Sequence, residues 1–175
     1  MNKKNIFLML LVSLIFVFCS NQSDKDLYEN AQNLITEKKY DEAVVIFEKL
    51  IETNKQSDLA SSALFECAKI YQGQVLKNMN GNESLKKSVK VYKNVYEEYP
   101  NSEDAENALF MAGFILANDL NDLEGAKKIY QLYLEKYPNG QLADDAKVEL
   151  KNLGKTPEEI LKDKIQEDFA NEKTS

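Results

Sequence analysis

The chain has 175 residues, 43 % of them hydrophobic and 29 % charged, a balance that suits one globular domain with a real core. Its 29 acids outweigh 22 basic residues, all lysine, for a net charge of −7. With no histidine and no arginine in the sequence, it offers no imidazole base, no histidine-bound metal and no bidentate phosphate clamp, and its acidity repels nucleic acid.

The chain opens with "MNKKNIFLMLLVSLIFVFCSN", in which a lysine pair precedes a fourteen-residue apolar run from Ile6 to Cys19, broken by Ser13. The run falls short of the roughly 20 residues that span a bilayer as a helix, and it ends in polar residues as a secretory signal does. Residues 1–18 are therefore read as a signal peptide and set apart from the fold. The cysteine closing the run resembles the acceptor of a bacterial lipoprotein signal, which implies that Cys19 is acylated and becomes the new N-terminus. An uncleaved anchor is the plainer alternative, because Phe18 stands where such signals usually carry Gly, Ala or Ser. In the same resemblance, Ser20 and Asn21 in place of an aspartate favour the outer membrane. Loss of residues 1–18 removes Lys3 and Lys4, leaving 29 acids against 20 lysines and a net charge of −9. Residues 19–25 read as a polar tether.

From there the chain repeats itself. "YEEYPNS" at Tyr96–Ser102 returns as "LEKYPNG" at Leu134–Gly140, 38 residues on. Ala43, Ser88 and Ala126 are each followed four residues later by an aromatic (Phe47, Tyr92, Tyr130) and twelve residues later by Lys55, Pro100 and Pro138. Thirteen residues beyond those lie Ala68, Gly113 and Lys151, each within apolar residues at helical spacing. One interval varies: Ala31 to Ala43 is 12 residues, Gly113 to Ala126 is 13, but Ala68 to Ser88 is 20. The excess is expected to form a protruding loop at about Lys77 to Ser84, around the Asn80-Gly81 turn signal.

Pro100 and Pro138 mark the ends of second helices. Asn121 with Glu124 reads as a capping box, and Thr156-Pro157-Glu158-Glu159 as a stronger one with proline at the first helical position. No stretch alternates with period two for long. The chain is expected to be all-α: a solenoid of about three helix pairs plus a terminal capping helix. Stacking lets each pair bury the apolar face of its neighbour.

These residues resemble the tetratricopeptide repeat (TPR) family, with small residues at helix contacts, an aromatic four residues past the small residue of the second helix, and a closing proline. The resemblance covers residues 26–153; residues 154–175 read as a C-terminal amphipathic helix and tail. More narrowly, "YPNSEDAENALFMAGF" and "YQLYLEKYPNGQLADDAKVEL" look like the periplasmic subset typified by the C-terminal domain of the Tol-Pal-associated cell-division coordinator. The lipoprotein that assists β-barrel assembly shares this repeat style across about five repeats, more than this chain holds.

The resemblance implies that the first helix of each pair lines a concave groove. It places Tyr28, Gln32, Phe65, Lys69, Phe110 and Phe114 there as a surface for an extended or helical peptide with apolar anchors; the alternative is that some of these rings pack under the C-terminal segment. In that segment Leu161, Ile165 and Phe169 recur every four residues, giving a short amphipathic helix able to cap the last pair or fill the groove.

Cys67, between Leu64 and Tyr71, reads as a buried hydrophobe. The pairs Glu97-Glu98, Glu103-Asp104 and Asp144-Asp145 read as solvated or dipole-matched helix ends; as catalytic carboxylates they would make a wall hydrolase, but adjacent helical residues point apart. The pairs Lys38-Lys39, Lys86-Lys87 and Lys127-Lys128 read as solvated faces. The expected protein is a lipid-anchored, non-catalytic scaffold facing the periplasm, binding envelope proteins in division or Tol-Pal-type coordination, with no cofactor or metal. A β-barrel-assembly accessory role is the alternative.

Overall fold

The computed structural model describes residues 22–172; Cys19 and the signal segment lie outside them. Within this range the chain is all-helical. The helices are α1 (Asp24–Thr36), α2 (Tyr40–Thr53), α3 (Ala60–Gln72), α4 (Gly81–Glu98), α5 (Glu103–Asn118), α6 (Leu123–Lys136), α7 (Ala143–Asn152) and α8 (Pro157–Glu172). Contacts run between chain neighbours from α1 to α7, with a further contact between α3 and α5. The fold is a TPR-like α-solenoid, with pairs α1/α2, α3/α4 and α5/α6 and with α7 covering the open side of α6. None of the described helices is long and apolar enough to cross a membrane.

The repeat arithmetic appears as packing. Ala31, Ala68 and Gly113 on the first helices, and Ala43, Ser88 and Ala126 on the second, are all buried. A Cβ at Gly113 would stand 2.9 Å from Cε1 of Tyr130 and 3.2 Å from Cγ2 of Ile129, closer than a side chain tolerates. Ser88 holds its small-residue position by donating its hydroxyl to the Ala68 carbonyl at 2.8 Å, so the one polar residue of the set is satisfied. Phe47, Tyr92 and Tyr130 are fully buried between their own helix pairs.

The connection between pairs is also written three times. The N–H groups of Asn54, Tyr99 and Tyr137 donate to Leu50, Val95 and Tyr133; those of Ser57, Ser102 and Gly140 then donate to Asn54, Tyr99 and Tyr137; those of Ala60, Ala105 and Ala143 follow onto Ser57, Ser102 and Gly140. The first copy builds this turn with Lys55 where the others have proline. Proline suits the turn because it cannot continue the helix, but the hydrogen bonds do not require it. Within each pair the connecting turn carries one non-glycine residue in the left-handed region: Lys38 (φ 60), Gln74 (φ 54) and Asn121 (φ 52).

Several boundaries differ from the sequence expectation. Ser23 and Asp26 form a capping box that starts α1 at Asp24, inside the segment read as tether. Asn121 does not cap α6: it occupies the left-handed turn position, and Asp122 caps instead by accepting from the Gly125 N–H at 2.9 Å. The Thr156 box forms as expected, with Thr156 N–H to Glu159 at 2.8 Å and Glu159 N–H to Thr156 at 3.3 Å.

The long interval of the second pair is shared between loop and helix. Asn80 is the N-cap of α4, accepting from the Glu83 N–H, so the loop ends there and α4 starts at Gly81, seven residues before Ser88. In the other pairs the second helix starts three residues before its small residue, at Tyr40 and Leu123. The four extra residues are about one helical turn, which lengthens α4 without rotating its buried face. Ser84, expected in the loop, is buried and donates to the Tyr71 carbonyl at 2.6 Å.

Candidate functional site

The first helices α1, α3 and α5 stand side by side. Ser61 and Ser62 at the start of α3 both donate to one carboxylate oxygen of Asp104 on α5, at 2.9 and 2.8 Å. This staple fixes the second and third pairs relative to each other, and sequence reading missed it, because Glu103-Asp104 looked like a solvated helix end. At the other side, Tyr28 on α1 feels Glu66, Lys69 and Asp104 across the same face.

The six residues expected in a groove lie on α1, α3 and α5, at different depths. Tyr28, Phe65 and Phe110 are half-buried. Each ring meets the buried aromatic of its own second helix: Tyr28 against Phe47 at 5.4 Å, Phe65 against Tyr92 at 5.3 Å, and Phe110 against Tyr130 at 5.7 Å, with interplanar angles of 61°, 67° and 57°. Such edge-to-face and tilted pairs are favoured by the ring quadrupole. The three rings therefore form the rim of the core and keep part of their surface exposed. They do not stand fully open. Sequence register gives the face a residue lies on, and it is the neighbour on the second helix that sets its depth.

Phe114 differs from these three. It is half-buried on α5, with no aromatic neighbour among the described residues, one turn from Phe110. Lys69 is exposed and paired with Glu66 at 2.8 Å. Gln32 donates through Nε2 to the Tyr28 hydroxyl at 3.2 Å. Burial, opposed by that hydrogen bond and assisted by the charges of Glu66 and Asp104, pushes the Tyr28 hydroxyl up, so it is a neutral donor at ordinary pH. Tyr28 and Gln32 also line a hollow of about 560 Å³ with Lys25, Glu29, Asn33 and Leu59.

The residues with possible chemistry are engaged in structure. Cys67 is buried, and burial pushes its thiol up to about 12, which keeps it protonated and unreactive. Asp104 is held by the two serines. Glu106 accepts from the Tyr133 hydroxyl, which in turn accepts from the Leu142 N–H at 3.1 Å, and this node sets the start of α7. Gly140 fits beside it because a Cβ there would reach within 2.8 Å of the Tyr133 hydroxyl. Lys87, expected on a solvated face, lies half-buried over the Tyr71 ring at 4.5 Å. Among the described residues no group of three or more Cys, Asp or Glu side chains could hold a metal ion.

Residues 107–140, from the second turn of α5 to the turn after α6, match the tetratricopeptide repeat family. The matched stretch is the third copy, the one with alanine, aromatic and proline all in place. No curated protein matches the chain.

Proposed function

We propose that this protein is a lipid-anchored, non-catalytic scaffold of the bacterial cell envelope. In this reading Cys19 carries the lipid, the chain faces the periplasm from the outer membrane, and the face of α1, α3 and α5 holds protein partners of division or Tol-Pal-type coordination. Tetratricopeptide repeats generally mediate protein–protein interactions. The observation that carries the reading is the recurrence of one device on one face, where Tyr28, Phe65 and Phe110 are each braced from behind by a buried ring and Phe114 extends the row. Bracing fixes the rotamer before a ligand arrives, which lowers the ordering cost of binding. The ligand that fits is an extended or helical segment with apolar anchors, with Gln32 and Lys69 offering polar contacts at its edge.

Two experiments test this. Metabolic labelling with a clickable fatty acid is expected to mark the wild-type chain and not Cys19→Ala; equal labelling would remove the anchor. Crosslinking in envelopes is expected to trap partners with wild type and to lose them with Phe114→Ala, a substitution that touches no braced pair and should leave the melting temperature within a few degrees. Trapped Tol-Pal components support the division role, and barrel-assembly components would replace it with the accessory role. Retention of all partners by Phe114→Ala would move the binding face elsewhere.

A further inference from the structure

The last helix does not do what its position in the repeat would have it do. Continuing the 38-residue step, Gly113 maps to Lys151, Ala126 to Lys164 and Tyr130 to Asp168, so a fourth pair would need lysines at both helix contacts and a carboxylate in place of the buried ring. The backbone departs from the repeat as well. Whereas α5 runs five residues past Gly113, α7 stops one residue past Lys151, and the chain turns at Gly154 with φ +77. The Thr156 capping box and Pro157 then start a new helix. The first turn of α8 is seated by half-buried Ile160 and by the ion pair of Lys155 with Asp163 at 2.8 Å. Beyond it the apolar stripe is uncovered: Leu161 is 59 % exposed, Ile165 46 % and Phe169 61 %.

We infer that α8 is a docking helix that lays Leu161, Ile165 and Phe169 into an apolar groove on a protein partner whose rim is basic. Charge selects this occupant. Residues 157–172 hold six acids and two lysines, and Glu158 and Asp168 fall beside the stripe at helical spacing. A second copy of this chain is the wrong partner, since the protein is itself acidic. A groove closing over both flanks would bury the whole helix. This surface is separate from the face of α1, α3 and α5, and the two assignments stand or fall independently.

The test uses the whole chain and a labelled amphipathic helical peptide of leucine and lysine, with a leucine–glutamate peptide as its counterpart, read by fluorescence anisotropy at two salt concentrations. The lysine peptide is expected to bind, more weakly at high salt, while the glutamate peptide does not. Leu161→Ala with Phe169→Ala, which preserves helix propensity, should weaken binding about tenfold or more with unchanged circular dichroism. Glu158→Lys with Asp168→Lys should weaken it as well. Four results would overturn the inference: no binding of the lysine peptide at low salt, equal binding of the glutamate peptide, full binding by the stripe variant, or concentration-dependent self-association that the stripe variant abolishes.

Discussion

The third helix pair and the segment that follows it start alike and end differently. Both α5 and α7 enter through the same turn, with the Ala105 N–H on Ser102 and the Ala143 N–H on Gly140. In the third pair, Gly113 lets α6 approach, and Tyr130 fills the space between the helices. In α7 and α8 the residues at the equivalent positions, Lys151 and Asp168, are charged, and α8 leaves with its apolar stripe exposed. The contrast shows that the turn admits the next helix but does not close the pair. Closure needs a small residue and a buried aromatic together.

The largest expected effect follows directly. Tyr130→Ala removes a fully buried ring and should cost about 3–5 kcal/mol in denaturant unfolding, whereas Phe169→Ala on the exposed stripe should cost about 0.5 kcal/mol or less. Equal losses would mean that α8 is packed as firmly as α6. Next, Gly113→Val puts branched carbons where a Cβ alone already stands 2.9 Å from Tyr130, and is expected to cost about 1–3 kcal/mol or to block folding. Lys151→Ala, at the equivalent point of α7, should shift stability by about 0.5 kcal/mol at most.

Alkaline pH probes the same difference. Burial pushes the hydroxyls of Tyr92, Tyr130 and Tyr133 up in the folded chain, Tyr133 also through its hydrogen bond with Glu106. Groups raised in this way bind more protons folded than unfolded once the unfolded tyrosines titrate, near pH 10. Their contribution is therefore whole below about pH 10 and is lost as pH rises above it. Tyrosinate absorption and helical circular dichroism should change together in that range; ionisation of all nine tyrosines before any loss of helix would contradict it.

One buried hydroxyl gives an effect of the opposite sign. The Tyr130 hydroxyl is buried with no partner among the described residues, whereas that of Tyr92 donates to Gln72 at 3.0 Å. Tyr130→Phe should stabilise the chain by about 1 kcal/mol and Tyr92→Phe destabilise it by about as much, measured as opposite shifts in melting temperature. A loss on Tyr130→Phe would place an ordered water on that hydroxyl.

Much of this was legible in the chain because it depends on spacing. The intervals of 12 and 13 residues located the small positions, the buried aromatics and the turns, since a helix with fixed pitch turns a sequence interval into a face. Depth was less legible. Tyr28, Phe65 and Phe110 lie on the expected first helices, but their half-burial depends on Phe47, Tyr92 and Tyr130 arriving behind them from another helix. Asn80-Gly81 reads equally as a turn or as a cap, and only the Glu83 N–H decides it. For α8, periodicity showed which face is apolar and said nothing of what covers it.

Native-state hydrogen exchange tests the central contrast most directly, because amide protection reports local opening segment by segment. The amides of α3 to α6 are expected to exchange only through global unfolding, while those of α8 beyond Asp163 exchange orders of magnitude faster. Protection of α8 equal to that of α6 would show that the chain closes a fourth pair despite Lys151, Lys164 and Asp168, and would contradict the account.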